Sequence, residues 1–146
     1  MLNIAITFDY ELFLGENYLS DDEILFSPTR RLEELLDSHG ITSTFFADVC
    51  SVFAHKKYGL NQYVNSFEDQ LRELIKHGHD VQLHLHPNWL LSEYRNEKWI
   101  FDTTHYRLHD FGFDSCDLTV PGIIHMGKEY LEKIIFPVSS DYKCIA

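Results

Sequence analysis

The 146-residue sequence has little cysteine and lacks any long apolar run. Its three cysteines, Cys50, Cys116 and Cys144, are far apart and form no CxxC pair, so a disulfide framework is not indicated. Reduced thiols fit a cytosol-like compartment. No stretch is long enough to cross a bilayer, and the opening residues lack the basic start and long apolar segment of a signal peptide. We therefore expect a cytoplasmic protein without membrane insertion.

Basic residues are also scarce, since 12 Lys and Arg stand against 23 Asp and Glu, for a net charge of −11. Such a surface repels phosphate backbones and anionic lipids, so nucleic-acid binding is not expected. Internal repeats and low-complexity tracts are absent from the sequence. Hydrophobic residues make up 45% of the chain, which is ordinary for a soluble globular domain. A chain of this length buries roughly 70% of its unfolded surface, so we expect a single domain.

Hydrophobic periodicity and turn residues predict the order β-α-β-α-β-insert-α-β. Strands are expected over residues 2–8, 41–47 and 80–85, with another opening at 142–146. One helix is predicted to begin at Ser27, which can cap it, and to stop at Gly40. A second is predicted to begin at Ser66, with Asp69 completing a capping box, and to end at Gly78. A third is predicted over 127–135. Irregular segments are expected as an acidic loop over 9–26, over 48–63, and as a long insert with a short hairpin over 87–120.

The third predicted strand bears on the fold class. Strands that alternate with helices predict a parallel sheet, which could be open or part of a barrel. A strand buried on both faces of an open sheet should be apolar throughout. The third strand instead alternates, with apolar residues on one face (Val81, Leu83, Leu85) and polar residues on the other (Asp80, Gln82, His84, His86). This pattern favours an incomplete (β/α) barrel with a polar lumen, because a complete barrel typically needs more than 200 residues.

Candidate metal ligands fall at the carboxyl ends of the predicted strands. Asp9 follows the first strand, and His84 and His86 end the third. The two histidines point the same way, with Cβ atoms ~7 Å apart, so they can converge on one ion. A carboxylate from Asp9 or Glu11 would complete a catalytic two-histidine, one-carboxylate site. A structural interpretation is also open, because a His-x-His pair alone is commonly a surface or core feature and Asp9 could cap a turn.

Three segments resemble the motifs of one enzyme family. The segment Thr7-Phe8-Asp9-Tyr10-Glu11 resembles T-F-D-D, the first motif of the polysaccharide deacetylases (the NodB-homology group, carbohydrate esterase family 4). Thr44-Phe45-Phe46 resembles the T-x-F-F strand of that family. Residues 77–87, with the sequence HGHDVQLHLHP, resemble its second motif, G-H-E-I-x-x-H followed by another histidine. The segments come in family order. They are closest to a divergent branch associated with surface-polysaccharide gene clusters, in which D-Y-E pairs with H-L-H-P. The resemblance covers residues 1–91 well and 127–146 loosely.

The resemblance implies a metal-dependent hydrolase that removes an N-acetyl group from a sugar, with one divalent ion, expected to be zinc. By position Asp9 matches the general base of the family. Tyr10 stands where the family has a metal-binding Asp. Glu11 then supplies the carboxylate ligand, or Asp9 is the ligand and Glu11 the base.

The histidine ligands also depart from the family pattern. His84 matches the first metal-binding histidine. Asn88 stands where the second normally lies, and His86 is its expected replacement. Asn88 and Trp89 are candidate substrate-binding residues, with Trp89 stacking on a sugar face; a buried packing role is the alternative for this Trp.

The resemblance further implies that 1–146 is a truncated deacetylase domain, because the later motifs that bring an Arg and the catalytic acid are missing. Loss of a general acid costs ~10²–10⁴ in rate, so we expect weak or no activity. Open sheet edges invite pairing with a second copy, which predicts a homo-oligomer. The alternative function is a non-catalytic metal-binding or interaction domain on a degenerate deacetylase scaffold. Tyr10 and Asn88 favour that alternative, whereas retention of the other motif residues favours the enzyme. The sequence leaves the carbohydrate substrate open.

Overall fold

Three short parallel strands form the centre of the fold. The computed structural model describes residues 3–13, 19–113 and 118–145. The strands β1 (Thr7–Tyr10), β2 (Thr44–Asp48) and β3 (Asp80–His84) pair in the order β1-β2-β3. A separate antiparallel hairpin consists of β4 (Glu93–Arg95) and β5 (Lys98–Ile100). The helices are α1 (Ser27–Ser38), α2 (Val49–Lys57), α3 (Asn61–Lys76), the short α4 (Asn88–Leu91) and α5 (Val120–Ile135). The α/β class expected from the sequence is confirmed.

The two faces of the parallel sheet differ in character. On one face the row Phe8, Phe45 and Val81 is in register and packs into the core, where the rings of Phe8 and Phe45 lie 5.3 Å apart. The opposite face includes the in-register residues Asp9 and Gln82. Because side chains alternate along a strand, each strand contributes to both faces. One face of the sheet is therefore apolar and packs into the core, and the other face is largely polar.

The start of α1 differs from the sequence prediction. Ser27 was expected to cap the helix, but a π-helical turn over Asp22–Phe26 leads directly into it. Ser27 therefore has helical backbone angles, and its hydroxyl donates to Asp22 Oδ2 at 2.8 Å instead of capping. The expected acidic loop thus ends in a helical turn, and its residues 14–18 lie outside the described ones. The predicted stop at Gly40 is confirmed by its positive φ of 64°.

The segment expected to be irregular after β2 is helical. Asp48 caps α2 by accepting a hydrogen bond from the backbone of Cys50 at 3.1 Å. Six residues of α2 are buried (Val49, Cys50, Ser51, Val52, Ala54 and His55). A helix buried on several sides has no single apolar stripe, which is why periodicity missed it. The predicted start of the next helix at Ser66 is also wrong, since α3 begins at Asn61 and Ser66 lies inside it.

Residues near both ends of the chain are less regular than predicted. The first strand was expected over 2–8, but described residues 3–6 are not in a strand and Ile4 is 76% exposed. Leu2, Cys116 and Ala146 lie outside the described residues. The expected strand at 142–146 is not formed over 142–145. The segment instead lies next to β3. There the backbone N–H of Ile145 donates to the side-chain oxygen of Gln82 at 2.7 Å, and not to a backbone carbonyl as in a sheet.

The insert after β3 contains the predicted hairpin, β4 and β5. The last helix begins seven residues earlier than expected, at Val120, where Thr119 Oγ1 accepts a hydrogen bond from Gly122 N. Its predicted inward residues are buried, namely Tyr130, Leu131, Ile134 and Ile135. Among the described residues, no helix has both the length and the apolar character needed to span a membrane.

Candidate metal centre

Glu11, His84 and His86 converge at one point. Glu11 Oε2 lies 2.8 Å from His84 Nε2 and 2.5 Å from His86 Nε2. The two Nε2 atoms are 3.0 Å apart. All three side chains are half-buried, so the cluster is open to solvent on one side. The structure thus brings together the three residues that the sequence suggested as metal ligands.

The parallel sheet explains this convergence. Glu11 directly follows β1, and His84 ends β3, so both lie at the carboxyl ends of strands that flank β2. Strands two places apart are roughly 9–10 Å from each other. The long side chain of Glu11 and the imidazole of His84 meet above the end of β2, while His86 approaches from the segment beyond β3.

The donor types of the cluster, one carboxylate and two imidazoles, suit a divalent cation such as zinc. Atoms bound tetrahedrally at ~2.0–2.1 Å lie about 3.3–3.4 Å from each other. The separations in the cluster are 2.5–3.0 Å, which are hydrogen-bond distances. A cation between the three atoms therefore requires them to move apart by about 0.3–0.9 Å.

Asp48 is a residue of the site that the sequence reasoning missed. Its Oδ1 accepts from the backbone N–H of His86 and of Cys50, each at 3.1 Å. Burial raises the pKa of this carboxyl to about 8, and the charge of Glu11 adds to the rise. Oδ2 is buried and has no hydrogen-bond partner among the described residues. The available signal was a carboxylate at the carboxyl end of the second strand, beside the Thr44-Phe45-Phe46 motif.

Asp9 and Tyr10 point to opposite sides of β1. Tyr10 is 1% exposed, and its hydroxyl donates to Gln70 Oε1 at 2.7 Å on the helix side of the sheet. It therefore cannot take the place of a metal-binding Asp. Asp9 is exposed on the other face, the one towards which Glu11 is also directed by strand alternation. The cluster of mutually close ligand atoms in the described residues does not include Asp9.

The two candidate substrate-binding residues are buried. Trp89 is 0% exposed, and its ring packs 4.8 Å from Phe101 and 5.0 Å from Trp99. Asn88 is 1% exposed, and its backbone carbonyl accepts from the Ser92 hydroxyl. The expectation that Trp89 stacks directly on a sugar is corrected, because its side chain is completely buried. The packing interpretation holds for this residue.

A second acidic and histidine-rich cluster lies at the opposite end of the sheet, around Glu33, Asp37 and His79. His79 Nδ1 accepts a hydrogen bond from the backbone N–H of Ser43 at 3.2 Å. The ring proton must then be on Nε2, which faces Asp37 Oδ1 at 3.4 Å. A metal ion on Nε2 would require the ring proton to move to Nδ1, where it would face the backbone N–H of Ser43. We therefore interpret this cluster as a charge network that joins α1 to the start of β3, not as a metal site.

Comparison of the chain with protein-family models, with curated proteins and with solved structures gives no match.

Proposed function

We propose that this chain is a metal-dependent hydrolase domain of the polysaccharide deacetylase type, which removes an N-acetyl group from a sugar. Glu11, His84 and His86 would hold one divalent ion, with zinc as the expected metal. The observation that carries the proposal is the convergence of one carboxylate oxygen and two imidazole nitrogens within 3.0 Å of one another. That donor set, open on one side, is typical of catalytic zinc sites.

The sheet supports the barrel part of the proposal. Strands in the sequential order β1-β2-β3, all parallel, are what the first part of a (β/α) barrel requires. The face that carries Asp9 and Gln82 corresponds to the lumen of such a barrel. The candidate site lies at the carboxyl ends of the strands, where the active sites of barrel enzymes lie.

The reaction can be assigned to named groups of the chain. A divalent ion in this site supplies a Lewis acid that polarises the acetyl carbonyl and makes water more acidic. Hydrolysis adds the oxygen of water to the acetyl carbon and breaks the C–N bond, so acetate leaves and the sugar nitrogen gains a proton. Asp9, exposed on the same face as Glu11, accepts the proton of the attacking water. No residue of the chain is assigned as the catalytic acid, so the nitrogen takes its proton from solvent and the reaction is slow. Asp48 positions His86 through the backbone N–H of that residue.

Acetate release from short oligomers of N-acetylglucosamine tests this proposal. We expect slow release by the zinc-loaded chain and a decrease of about 10²–10⁴ in Asp9→Asn, because a positioned base contributes that much. His125→Ala is the matched control, since its side chain is 70% exposed on α5. Zinc content should be the same in all three proteins. Absence of acetate from the zinc-loaded chain would overturn the hydrolase assignment.

A non-catalytic metal-binding or interaction domain is the second candidate. Two departures from the family pattern favour it, since Tyr10 is turned into the core and Asn88 is buried. This alternative predicts zinc bound at one ion per chain with no acetate released by any variant.

Self-association is part of the proposal. In the sheet of the described residues, β1 pairs with β2 alone, so its other edge is unpaired. An unpaired parallel edge is a template for a strand of another chain. We therefore propose a homo-oligomer formed through this edge.

A further inference from the structure

A large cleft lies between the β4–β5 hairpin and the beginning of α3. Its volume is about 1010 Å³, at the upper end of the ~300–1,000 Å³ typical of ligand sites. Leu12, the residue after Glu11, is one of its lining residues. None of the three candidate metal ligands lines it, so the cleft and the metal cluster are connected through the chain at Glu11 and Leu12.

Aromatic rings form one wall of the cleft. Tyr94 and Trp99 come from the hairpin, His55 from α2 and Tyr63 from α3. Their ring centroids are close: Tyr94–Trp99 5.1 Å, His55–Trp99 4.8 Å and His55–Tyr63 3.8 Å. Buried Trp89 supports Trp99 from behind. Rings that pack on one another in this way are held in place, so the wall is already organised before a ligand binds.

Hydrogen-bonding groups face the same space. Asn61 and Gln62 are exposed at the first turn of α3 and line the cleft with amide donors and acceptors. His55 Nδ1 donates to the carbonyl of Ser51 at 2.7 Å, which leaves its Nε2 as an acceptor. His55 is 1% exposed, so it supports the wall, and the hydrogen-bonding groups open to a ligand are those of Asn61 and Gln62.

The charge of the cleft disfavours one class of ligand. Three carboxylates line it, from Asp21, Asp22 and Glu97, with one ammonium group from Lys98. Asp22 is paired with Arg30 at 2.7 Å, so Asp21 and Glu97 against Lys98 leave an excess of one negative charge. An excess of negative charge repels phosphate groups. A nucleotide-linked sugar is therefore disfavoured here, whereas an uncharged ligand is not repelled.

We infer that this cleft binds a neutral oligosaccharide longer than one sugar ring, with Trp99 and Tyr94 packing against the apolar C–H face of a ring. Aromatic faces beside amide groups match the apolar faces and hydroxyl edges of sugars. The volume exceeds what one ring fills. Placement of the reacting sugar at the metal centre depends on the proposed function, but sugar binding by the cleft can be measured separately.

Isothermal titration of the full chain with the trisaccharide of N-acetylglucosamine tests the inference. We expect saturable binding by the unmodified chain and a decrease in affinity of about tenfold or more in Trp99→Ala. Because Trp99 contacts buried Trp89, this variant could also disturb folding. The double variant Asn61→Ala, Gln62→Ala changes exposed positions and should lower affinity without affecting the melting temperature. Glu129→Ala, on the exposed face of α5, is the control and should bind like the unmodified chain.

Two further titrations separate this inference from the proposed function. The double variant His84→Ala, His86→Ala should lose zinc and still bind the trisaccharide saturably, because the contacts with the cleft remain. A nucleoside diphosphate sugar should bind more weakly than the trisaccharide. The inference is overturned if the trisaccharide shows no saturable binding, or if the Asn61, Gln62 and Trp99 variants bind as tightly as the control. Trisaccharide binding without zinc binding would remove the proposed function and leave the cleft in place.

Discussion

At the scale of single residues, strand alternation accounts for the outcome of the motif Asp9-Tyr10-Glu11. The resemblance placed Tyr10 at a ligand position and left two roles open for the carboxylates. In the fold, Tyr10 faces the core while Glu11 reaches the histidines, so a residue two positions from Asp9 supplies the carboxylate of the cluster. The sequence could identify these residue types. The contact between the residue that follows β1 and the residue that ends β3 depends on the order of strands in the sheet, which the sequence does not give directly.

The role of Asp48 gives a prediction about stability. Asp48→Asn keeps an oxygen that accepts from the backbone N–H groups of His86 and Cys50, whereas Asp48→Ala leaves both without that partner. An unpaired buried N–H costs about 1–3 kcal/mol. We therefore expect urea denaturation to show a loss of at least about 2 kcal/mol in the Ala variant and a clearly smaller loss in the Asn variant. Equal losses in the two variants would contradict the hydrogen bonds assigned to Oδ1.

Buried His55 gives a prediction about pH. Burial lowers its pKa to about 4, from the value of 6.5 expected for an exposed histidine. Below pH 6.5 His55 becomes protonated in the unfolded chain, whereas in the folded chain it stays neutral until the pH approaches 4. The free energy of unfolding therefore decreases as the pH falls from 6.5 to 4. Between pH 7 and pH 5 the loss from this residue is about 2 kcal/mol.

Replacing His55 by Gln should remove that part of the pH dependence. The measurement is the free energy of unfolding in urea at pH 7 and at pH 5. His125→Gln, at an exposed position, serves as the matched control and should keep the full dependence. A His55→Gln variant whose stability falls with pH as steeply as that of the control would show that His55 is not held neutral in the folded chain.

At the scale of helices and strands, close packing between α5 and the sheet gives a third prediction. A Cβ atom on Gly127 would lie 2.7 Å from Leu83 Cδ1 and 2.9 Å from Val49 Cγ2. Gly127→Ala should therefore destabilise the chain by about 1–3 kcal/mol through overpacking, although alanine favours a helix. Thermal denaturation measures the change. Adding Leu83→Val, which shortens the side chain in closest contact, should reduce the cost of the alanine. An alanine that raises the melting temperature would contradict this packing.

The same scale shows what the sequence could and could not predict. The strands β2 and β3, most of α1 and the core of α5 follow from periodicity and from turn glycines such as Gly40 and Gly78. The first strand was predicted over 2–8, and only its last two residues lie in β1. Helix α2 was missed because it is buried on several sides and carries no single apolar stripe. The π-helical turn before α1 was missed because Ser27-Pro28 is itself a good helix start. The expected strand at 142–146 failed because the Gln82 side chain takes the hydrogen bond of Ile145.

At the scale of the whole molecule, the unpaired edge of β1 predicts association. Sedimentation velocity should show a dimer or larger species at micromolar concentration. Ile6 and Phe8 direct their backbone groups towards Thr44 of β2, so the N–H of Thr7 faces the unpaired edge. Thr7→Pro removes this N–H and should shift the population towards the monomer. Thr7→Lys, which adds a charge to the exposed edge strand, provides a second and milder test. A chain that is monomeric at every concentration would contradict the edge-pairing proposal.

The central claim is that the carboxyl ends of β1 and β3 create one metal site. Elemental analysis of protein purified without a histidine tag measures it most directly. The unmodified chain and the exposed-site double variant His109→Ala, His125→Ala should carry close to one divalent ion each. The double variant His84→Ala, His86→Ala should carry none. A chain that binds no metal even after zinc is added, or an ion that survives loss of both strand-end histidines, would contradict the account.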